Sequence, residues 1–257
     1  SDVYKRQVED RHDLWDMYYE FGPNEAIATH PHSLSYVVQL APGYRLFALN
    51  DDTNYKPEGE RGSGYSDDCM KWIMEQLEDA KANDQFVIAM THHPMISPSP
   101  FYSIIGKGDM QRNHETTREI FADAGLQVML TGHTHVHNIG YITTEKGNRF
   151  YDIACGALIG CPPVMRNVAF DPKNAKIDVD TVFVDHVDGI DTDGKSCPDY
   201  MKGFFFGMIA KVIWAMGNDI DVLADMTPAF SIPGEKVKKL GLSLIHISEP
   251  TRRSYIS

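Results

Sequence analysis

The most constraining feature of this sequence is a pair of buried-strand patterns, each of which ends in histidines. Residues 86–90 (FVIAM) form a continuous apolar run of strand length, and Thr91-His92-His93-Pro94 follows directly. Residues 127–131 form a second strand pattern, followed by Gly132-His133-Thr134-His135. Such runs are typical of strands that are covered on both faces, as in parallel α/β sheets. A helical pattern at 115–124 lies between them, so the sequence predicts a strand–helix–strand unit.

Histidines at the ends of two such strands predict a metal site. Ligands collect at the carboxyl ends of strands in α/β sheets, and neutral imidazole is the commonest metal ligand. His133 and His135 stand at i and i+2 of one segment, so both can reach the same site, and Gly132 before them allows a close backbone approach. Either motif alone is more often found in a protein core or on a surface without any role in metal binding. The two together, about 40 residues apart, favour the metal site.

Composition and charge exclude several classes of protein. The chain has 257 residues, of which 42% are hydrophobic and 23% charged, and these values are typical of globular domains. The net charge of −12 argues against a nucleic-acid or anionic-membrane partner held by bulk electrostatics. Four cysteines without a CxxC pair exclude a zinc ribbon and a dense disulfide framework. No apolar run of about 20 residues is present, so membrane contact is not expected. The compartment stays open, with a slight preference for the cytoplasm, and the oligomeric state stays open as well.

Two terminal segments are interpreted as translated sequencing-adapter sequence. If Asp2–Gln7 is written in codons, the reverse complement translates to LSLIHI, the sequence of residues 242–247. The element resembles the end of a transposon-based library adapter, and the SEPTR that follows fits the same adapter. We therefore expect 1–7 and 242–257 to contribute no core, and we expect the protein-coding insert to be 8–241, bounded where DNA was cut.

The hydrophobic periodicity predicts further elements along the insert. The predicted helices are 9–22 with an apolar face of Leu14, Met17, Tyr18 and Phe21, a Ser66-capped helix with the stripe Met70, Ile73, Leu77 and Ala80, 115–124 with Ile120, Phe121 and Ala124 inward and Gly125 as its stop, and the apolar run 204–216. The predicted strands are a hairpin of 34–40 and 45–50 around Pro42-Gly43, and short strands at 141–143, 150–155, 168–170 and 179–184. Residues 51–66 read as a long surface loop.

Three segments resemble the calcineurin-like metallophosphoesterases. They are FVIAMTHHP at 86–94, REIFADAGLQVMLTGHTH at 118–135 and YDIACGALIGCPP at 151–163. The upstream YYEFGPNEAIATHPHSLSYVV, 18–38, is similar to the segment that follows the Asn-His motif in bacterial members. The resemblance covers roughly 10–185. It implies a fold of the α/β class, an incomplete two-sheet sandwich flanked by helices, with 8–187 as the C-terminal part of the domain and 188–241 as a linker and truncated helical appendage.

The resemblance also implies two divalent metal ions, of manganese, iron or zinc, and a small phosphate mono- or diester as substrate. His92 and His133 would bind one ion and His135 the other. His92 is preferred over His93 because the family's ligand is followed by one residue and then proline. The implied reaction is attack on phosphorus by a hydroxide that bridges the two ions. His93, His137, His114 and Arg112 are candidates for contacts to ligands or substrate.

The chain departs from the family pattern in its N-terminal ligands. These come from Asp-x-His, Gly-Asp-x-x-Asp and Gly-Asn-His-Asp/Glu motifs, and none of them is expected in this chain. Arg11-His12-Asp13 lacks the Gly-Asn of the last motif. The histidine that protonates the leaving group is therefore expected upstream, and three of about seven ligands remain. We expect the parent protein to be an enzyme and this fragment to be inactive.

Several alternatives remain open. The chain could be a degenerate, non-catalytic binding or scaffold domain of the same fold. A mononuclear histidine site of another fold would need carboxylates such as Asp152 or Asp171. His30-Pro31-His32 is interpreted as a polar loop and Asp51-Asp52 as a turn. Cys155-Gly156 is interpreted as a point of close strand packing, without a catalytic role for the thiol.

Overall fold

The computed structural model of the protein describes residues 11–51, 63–98, 109–158, 160–171, 176–189 and 191–203. The predicted helix 204–216, the two terminal segments interpreted as adapter sequence and most of the loop 51–66 lie outside these residues. The described elements are the helices α1 (Arg11–Met17), α2 (Asp67–Ala82) and α3 (His114–Ala124), and the strands β1 (Ala26–Thr29), β2 (Tyr36–Ala41), β3 (Tyr44–Ala48), β4 (Phe86–Met90), β5 (Val128–Thr131), β6 (Asn138–Thr143), β7 (Arg149–Ala154), β8 (Val164–Asp171) and β9 (Lys176–Phe183). No described helix is long and apolar enough to cross a bilayer.

Seven strands form one large sheet in the order β1-β2-β3-β4-β5-β7-β6, and β8 and β9 form a small antiparallel second sheet. The strands β3, β4, β5 and β7 run parallel, while β1 to β3 pair antiparallel. Helix α2 connects β3 to β4, and α3 connects β4 to β5. The mixed α/β class predicted from the sequence is thus confirmed, with one large sheet and a small second sheet.

The chain divides into two compact units. The first comprises residues 1–96, 110–133 and 139–154, and the second comprises 97–109, 134–138 and 155–257. The first unit contains a core of buried side chains from α2, α3 and the parallel strands, among them Phe47, Ile73, Leu77, Phe121 and Met129. The second unit contains the hairpin of β8 and β9 and helical residues 197–203.

Local sequence signals explain the two connecting helices. The Ser66 side chain accepts a hydrogen bond from the Cys69 backbone amide, as a helix N-cap does. Cys69 is buried, whereas Met70, predicted for the stripe, is only partly buried and packs against the edge of the core. Helix α3 ends at Gly125, whose φ of 99° is the left-handed conformation that stops helices.

The predicted buried face of 9–22 is wrong at its described residues, and that of α3 is wrong at Ile120 alone, since Phe121 is buried and Ala124 packs against the core. The segment 9–22 forms only α1 and two short 3₁₀ turns, Tyr19–Phe21 and Pro23–Glu25, and Phe21 is 79% exposed. Met17 and Tyr18 are exposed as well, and the Leu14 side chain lies outside the described part of the structure. In α3, Ile120 is 39% exposed, because Thr117 and Phe121 define the inward face.

Candidate metal centre

Parallel pairing brings the ends of three strands to one edge of the large sheet. Ala48 of β3 pairs with Met90 of β4, and Met90 pairs in turn with Leu130 of β5. The following loops are joined by backbone hydrogen bonds from Thr91 N to Leu130 O and from Gly132 N to His92 O, both 3.0 Å. The residues after these strands therefore meet in space although they are far apart in the chain.

Three histidines form a compact group at this edge. His92, His93 and His133 each offer a ring nitrogen, and these atoms all lie within 4.8 Å of one another. Nδ1 of His133 is 3.0 Å from Nε2 of His92, and the ring centroids of His93 and His133 are 4.2 Å apart. His92 is exposed and the other two are half-buried, so the group is open to solvent and to an incoming ion.

The backbone at the second motif is left-handed at its two histidines rather than at the preceding glycine. The positive φ values belong to His133 (58°) and His135 (55°), not to the glycine before them. A Cβ at Gly132 would lie 3.8 Å from the His92 carbonyl, which is an ordinary contact, so glycine is not required there for a close approach. Left-handed conformations of non-glycine residues are strained and are enriched at functional sites.

Asp51 contacts the histidine group, although the sequence indicated only a turn at this position. It follows β3, is 1% exposed, and its Oδ2 accepts a hydrogen bond from the His93 backbone amide at 2.9 Å. Its Oδ1 lies 3.2 Å from Nδ1 of His93. A buried carboxylate at the ring nitrogen of a histidine orients the imidazole and leaves its other nitrogen facing away. A buried position directly after a parallel strand could have indicated this role.

His135 and His137 belong to the second unit. His135 is exposed there. Nδ1 of His137 accepts a hydrogen bond from the Gly156 amide at 3.2 Å, and Nε2 donates to Oγ1 of Thr181 at 2.8 Å. Burial, with a smaller effect of the Arg166 charge, lowers the pKa of His137. Both ring nitrogens are thus occupied by protein groups, so His137 acts there as a neutral packing residue.

The remaining candidates lie in distinct places. His114 begins α3, and its Nδ1 donates to the Gln111 carbonyl at 2.9 Å; Arg112 is exposed nearby. Asp171 ends β8 in the second unit. Asp152 lies within β7, where its carboxylate accepts hydrogen bonds from backbone and hydroxyl groups.

Two other sequence interpretations concern the loop at His30-Pro31-His32 and the strand packing at Cys155-Gly156. The loop predicted at His30-Pro31-His32 is present after β1, and His32 is exposed in it, but His30 is only 3% exposed and bonds to Ser33 and Asp68, so within that loop it is a buried structural residue. At Gly156, a Cβ would lie 2.5 Å from Val164, which is the close packing expected at Cys155-Gly156.

One Asp-x-His triplet does occur in the sequence, contrary to the expectation of none. It is Asp10-Arg11-His12, of which Arg11 and His12 begin helix α1 and Asp10 lies outside the described residues. The backbone of this triplet is helical where it is described. The three histidines of the metal centre follow the ends of parallel strands, whereas Arg11 and His12 lie in a helix.

The donor set fits a transition-metal ion. Three imidazoles suit zinc and iron, whereas manganese prefers oxygen ligands. Their nitrogens lie close enough to share one ion after small side-chain adjustments. The fit is to one ion in the first unit, since the described residues of that unit offer no second group of three such donors.

Comparison with known proteins gives a family and a distant structural relative. A family model described as calcineurin-like phosphoesterase matches residues 3–137. The matched range includes both histidine motifs, and it begins within the first segment interpreted as adapter. A similar solved structure is that of a dimetal phosphatase from Danio rerio, with 15% identity and a TM-score of 0.39. That alignment covers 51% of each chain, so this chain spans about half the length of that relative. No curated protein matched.

Proposed function

The chain belongs to the calcineurin-like phosphoesterase family, and from this premise we propose that the complete protein hydrolyses a phosphate mono- or diester with two bound divalent ions. The family is one of metal-dependent hydrolases, which gives the reaction type. The observation that supports the proposal in this chain is the convergence of His92, His93 and His133 at one edge of the parallel sheet.

We propose that His92 and His133 hold one ion and that His135 serves the second. His93 stands close enough to contribute a third imidazole to the first ion, with Asp51 behind it. An ion held there would polarise a phosphoryl oxygen, lower the pKa of the attacking water and attract an anionic ester that the net charge of −12 would otherwise repel.

The protein's own residues supply position and access. The backbone bonds between the two loops fix His92 against Gly132, and the Asp51 carboxylate fixes His93. The exposed ring of His92 leaves a path to solvent for a small substrate. His114 and Arg112 are proposed as substrate contacts, and Arg112 has the charge and the donor geometry that suit a phosphate.

We further propose that the 257-residue chain binds an ion weakly and turns over no ester. It contains neither a Gly-Asp-x-x-Asp nor a Gly-Asn-His motif. The carboxylate and amide ligands of these motifs would complete the second ion site, and the histidine would protonate the leaving group. Loss of a general acid alone typically lowers the rate about 10²–10⁴-fold.

The test compares the chain with a version extended by its upstream coding sequence. Both are purified, loaded with Mn²⁺, Zn²⁺ or Fe²⁺, and assayed with p-nitrophenyl phosphate and bis(p-nitrophenyl) phosphate. We expect hydrolysis only by the extended protein, and we expect His92→Ala and His135→Ala to abolish it. An extended protein that carries the motifs, binds the ions and hydrolyses neither ester would contradict the proposed function. Equal turnover by the short chain, lost on His92→Ala, would contradict its proposed incompleteness.

A further inference from the structure

Asp152 is a carboxylate in a row of core residues. It lies on β7 and pairs with Met129 of β5. Met129 pairs in turn with Ala89 of β4, and Ala89 pairs with Phe47 of β3. In parallel strands the side chains of one such row face the same side of the sheet. The other three residues of this row are fully buried and apolar, and Asp152 is only 2% exposed. A buried carboxylate costs free energy unless its oxygens are hydrogen-bonded.

Three donors compensate this cost, and they come from both histidine-bearing loops. Oγ1 of Thr131, the last residue of β5, donates to Oδ1 at 2.5 Å. The backbone amides of Met95 and Ile96 donate to Oδ2 at 2.6 and 2.9 Å. Thr131 stands two residues before His133, and Met95 stands two residues after His93. Oδ1 of Asp152 therefore binds the end of β5, just before the loop that carries His133. Oδ2 binds the loop after β4, at the residues that follow His93.

Arg118 reinforces the same arrangement from α3. Its Nη1 donates to the Met95 carbonyl at 3.0 Å, so Met95 is held through both its amide and its carbonyl. Burial raises the pKa of Asp152, and the three hydrogen bonds act in the opposite direction, with a smaller effect of the Arg118 charge. The loop that follows β4 is thus fixed to β7 rather than only to its sheet neighbour.

We propose that Asp152 is a positioning residue that sets the distance between His93 and His133, and thereby the affinity of the histidine group for a divalent ion. The claim about ion affinity rests on the proposed metal centre. The claim about the distance between His93 and His133 concerns the metal-free protein and does not depend on that centre. Asp152 would not touch the ion; it would act through Thr131, Met95 and Ile96.

The isosteric variant Asp152→Asn separates positioning from charge. Its carbonyl oxygen can accept both amide hydrogen bonds, and its Nδ2 can donate to Oγ1 of Thr131, so every link survives with one bond reversed. Asp152→Ala removes all three links and leaves two buried amides without an acceptor. Thr131→Val removes only the link to β5 and preserves the shape of the side chain.

Thr144 offers a matched control at the opposite edge of the same sheet. It is buried like Thr131, and its Oγ1 also donates to an aspartate, Oδ1 of Asp123, at 2.8 Å. Asp123 lies in the last turn of α3 and also accepts a hydrogen bond from Asn148, which directly precedes β7. The histidines instead follow the ends of β4 and β5. Thr144→Val therefore removes the same kind of bond without touching the histidine loops.

The first measurement is made on the metal-free 257-residue chain. Nuclear Overhauser effects between the rings of His93 and His133, whose centroids are 4.2 Å apart, report the separation of the loops. We expect the effect in the wild type, in Asp152→Asn and in Thr144→Val, and we expect it to weaken or vanish in Thr131→Val and Asp152→Ala. An unchanged effect in folded Thr131→Val would overturn the positional role, even if Asp152→Ala fails to fold.

The second measurement is titration with Co²⁺ alone, followed by its visible absorption bands. Residues that support metal ligands typically change affinity about 10–100-fold when removed. We expect a loss of about tenfold or more, with shifted bands, in Asp152→Ala, a smaller loss in Thr131→Val, and values within about threefold of wild type in Asp152→Asn and Thr144→Val. Equal loss in Asp152→Asn and Asp152→Ala would overturn the positioning role in favour of charge. A wild-type chain that binds no Co²⁺ would refute the proposed metal centre, and the ring-to-ring effect would still decide whether Asp152 positions the loops.

Discussion

Nδ1 of His133 lies 3.0 Å from Nε2 of His92, although 41 positions separate the two residues in the chain. Two unprotonated nitrogens at this distance repel each other through their lone pairs. In the metal-free protein one nitrogen therefore donates a proton to the other. An ion that accepts both lone pairs requires this proton to move to the other nitrogen of its own ring, so that each imidazole stays neutral. The pair is a preformed two-donor site created by the parallel register of β4 and β5.

Removal of either member of this pair should weaken metal binding. We expect His92→Ala and His133→Ala each to lower the Co²⁺ or Zn²⁺ affinity of the chain about tenfold or more, since a ligand matters at least as much as its supporting groups. His186 offers a control, because its side chain is 80% exposed and pairs with Asp188 in the second unit. Isothermal titration should show His186→Ala binding as the wild type does, and equal affinity in all three variants would contradict the site.

The strands and their histidines were accessible to sequence reasoning because their signals are local. The apolar run 86–90 and the cap at Ser66 each depend on adjacent residues, and both predictions match β4 and α2. The exposure of Ile120 was not accessible, since it depends on how α3 is rotated against the core by Thr117 and Phe121.

The aspartates at the site could not be recognised for a different reason. The partner of Asp51 stands 42 positions away and that of Asp152 up to 57 positions away, so no local pattern distinguishes them from a turn residue or an exposed strand residue. Their roles follow only from the strand order, which places β7 beside β5 and β3 beside β4.

Asp123 should make the stability of the fold depend on pH. Hydrogen bonds from Asn148, the contact with Lys146 and a hydrogen bond from Thr144 lower its pKa to about 2. An unfolded aspartate titrates near about 4. Its stabilising contribution is therefore complete above about pH 4 and is lost as the pH falls through about 2.

The check is a series of thermal unfolding curves between pH 6 and pH 2. Asp123→Asn should unfold at a lower temperature than the wild type at pH 6, and this difference should shrink towards pH 2. Asn148→Ala removes the largest of the three contributions and should show the same trend with a smaller amplitude. A difference that is constant across this range would contradict the assignment to Asp123.

His30 should be a structural residue whose loss destabilises the first unit. Its Nδ1 accepts one hydrogen bond from the Ser33 backbone amide and lies 2.9 Å from the Ser33 hydroxyl. Its Nε2 donates to the Asp68 carboxylate at 3.0 Å. The ring is 3% exposed. His30→Ala leaves buried polar groups without partners and a cavity, so we expect a loss of about 2–3 kcal/mol in the free energy of unfolding. His32→Ala, at an exposed position two residues later, should change it by less than about 0.5 kcal/mol in urea denaturation.

Asp51 should control which ring nitrogen of His93 faces the metal. Oδ2 accepts the His93 backbone amide, and Oδ1 lies 3.2 Å from Nδ1 without the geometry of a hydrogen bond. The nearby negative charge favours a proton on Nδ1, and Nε2 then keeps its lone pair. In Asp51→Asn the carbonyl can still accept the backbone amide, but the NH₂ group then faces Nδ1 and favours the opposite tautomer. We expect the Co²⁺ affinity to fall about 10–100-fold, and we expect ¹⁵N shifts of the His93 ring to report the proton on Nε2. The same substitution at Asp152 should leave the affinity nearly unchanged, because its hydroxyl partner can reverse its bond and an imidazole cannot do so without moving its proton. If Asp51→Asn binds Co²⁺ like the wild type while the tautomer has changed, His93 is not a ligand and the ion rests on His92 and His133 alone.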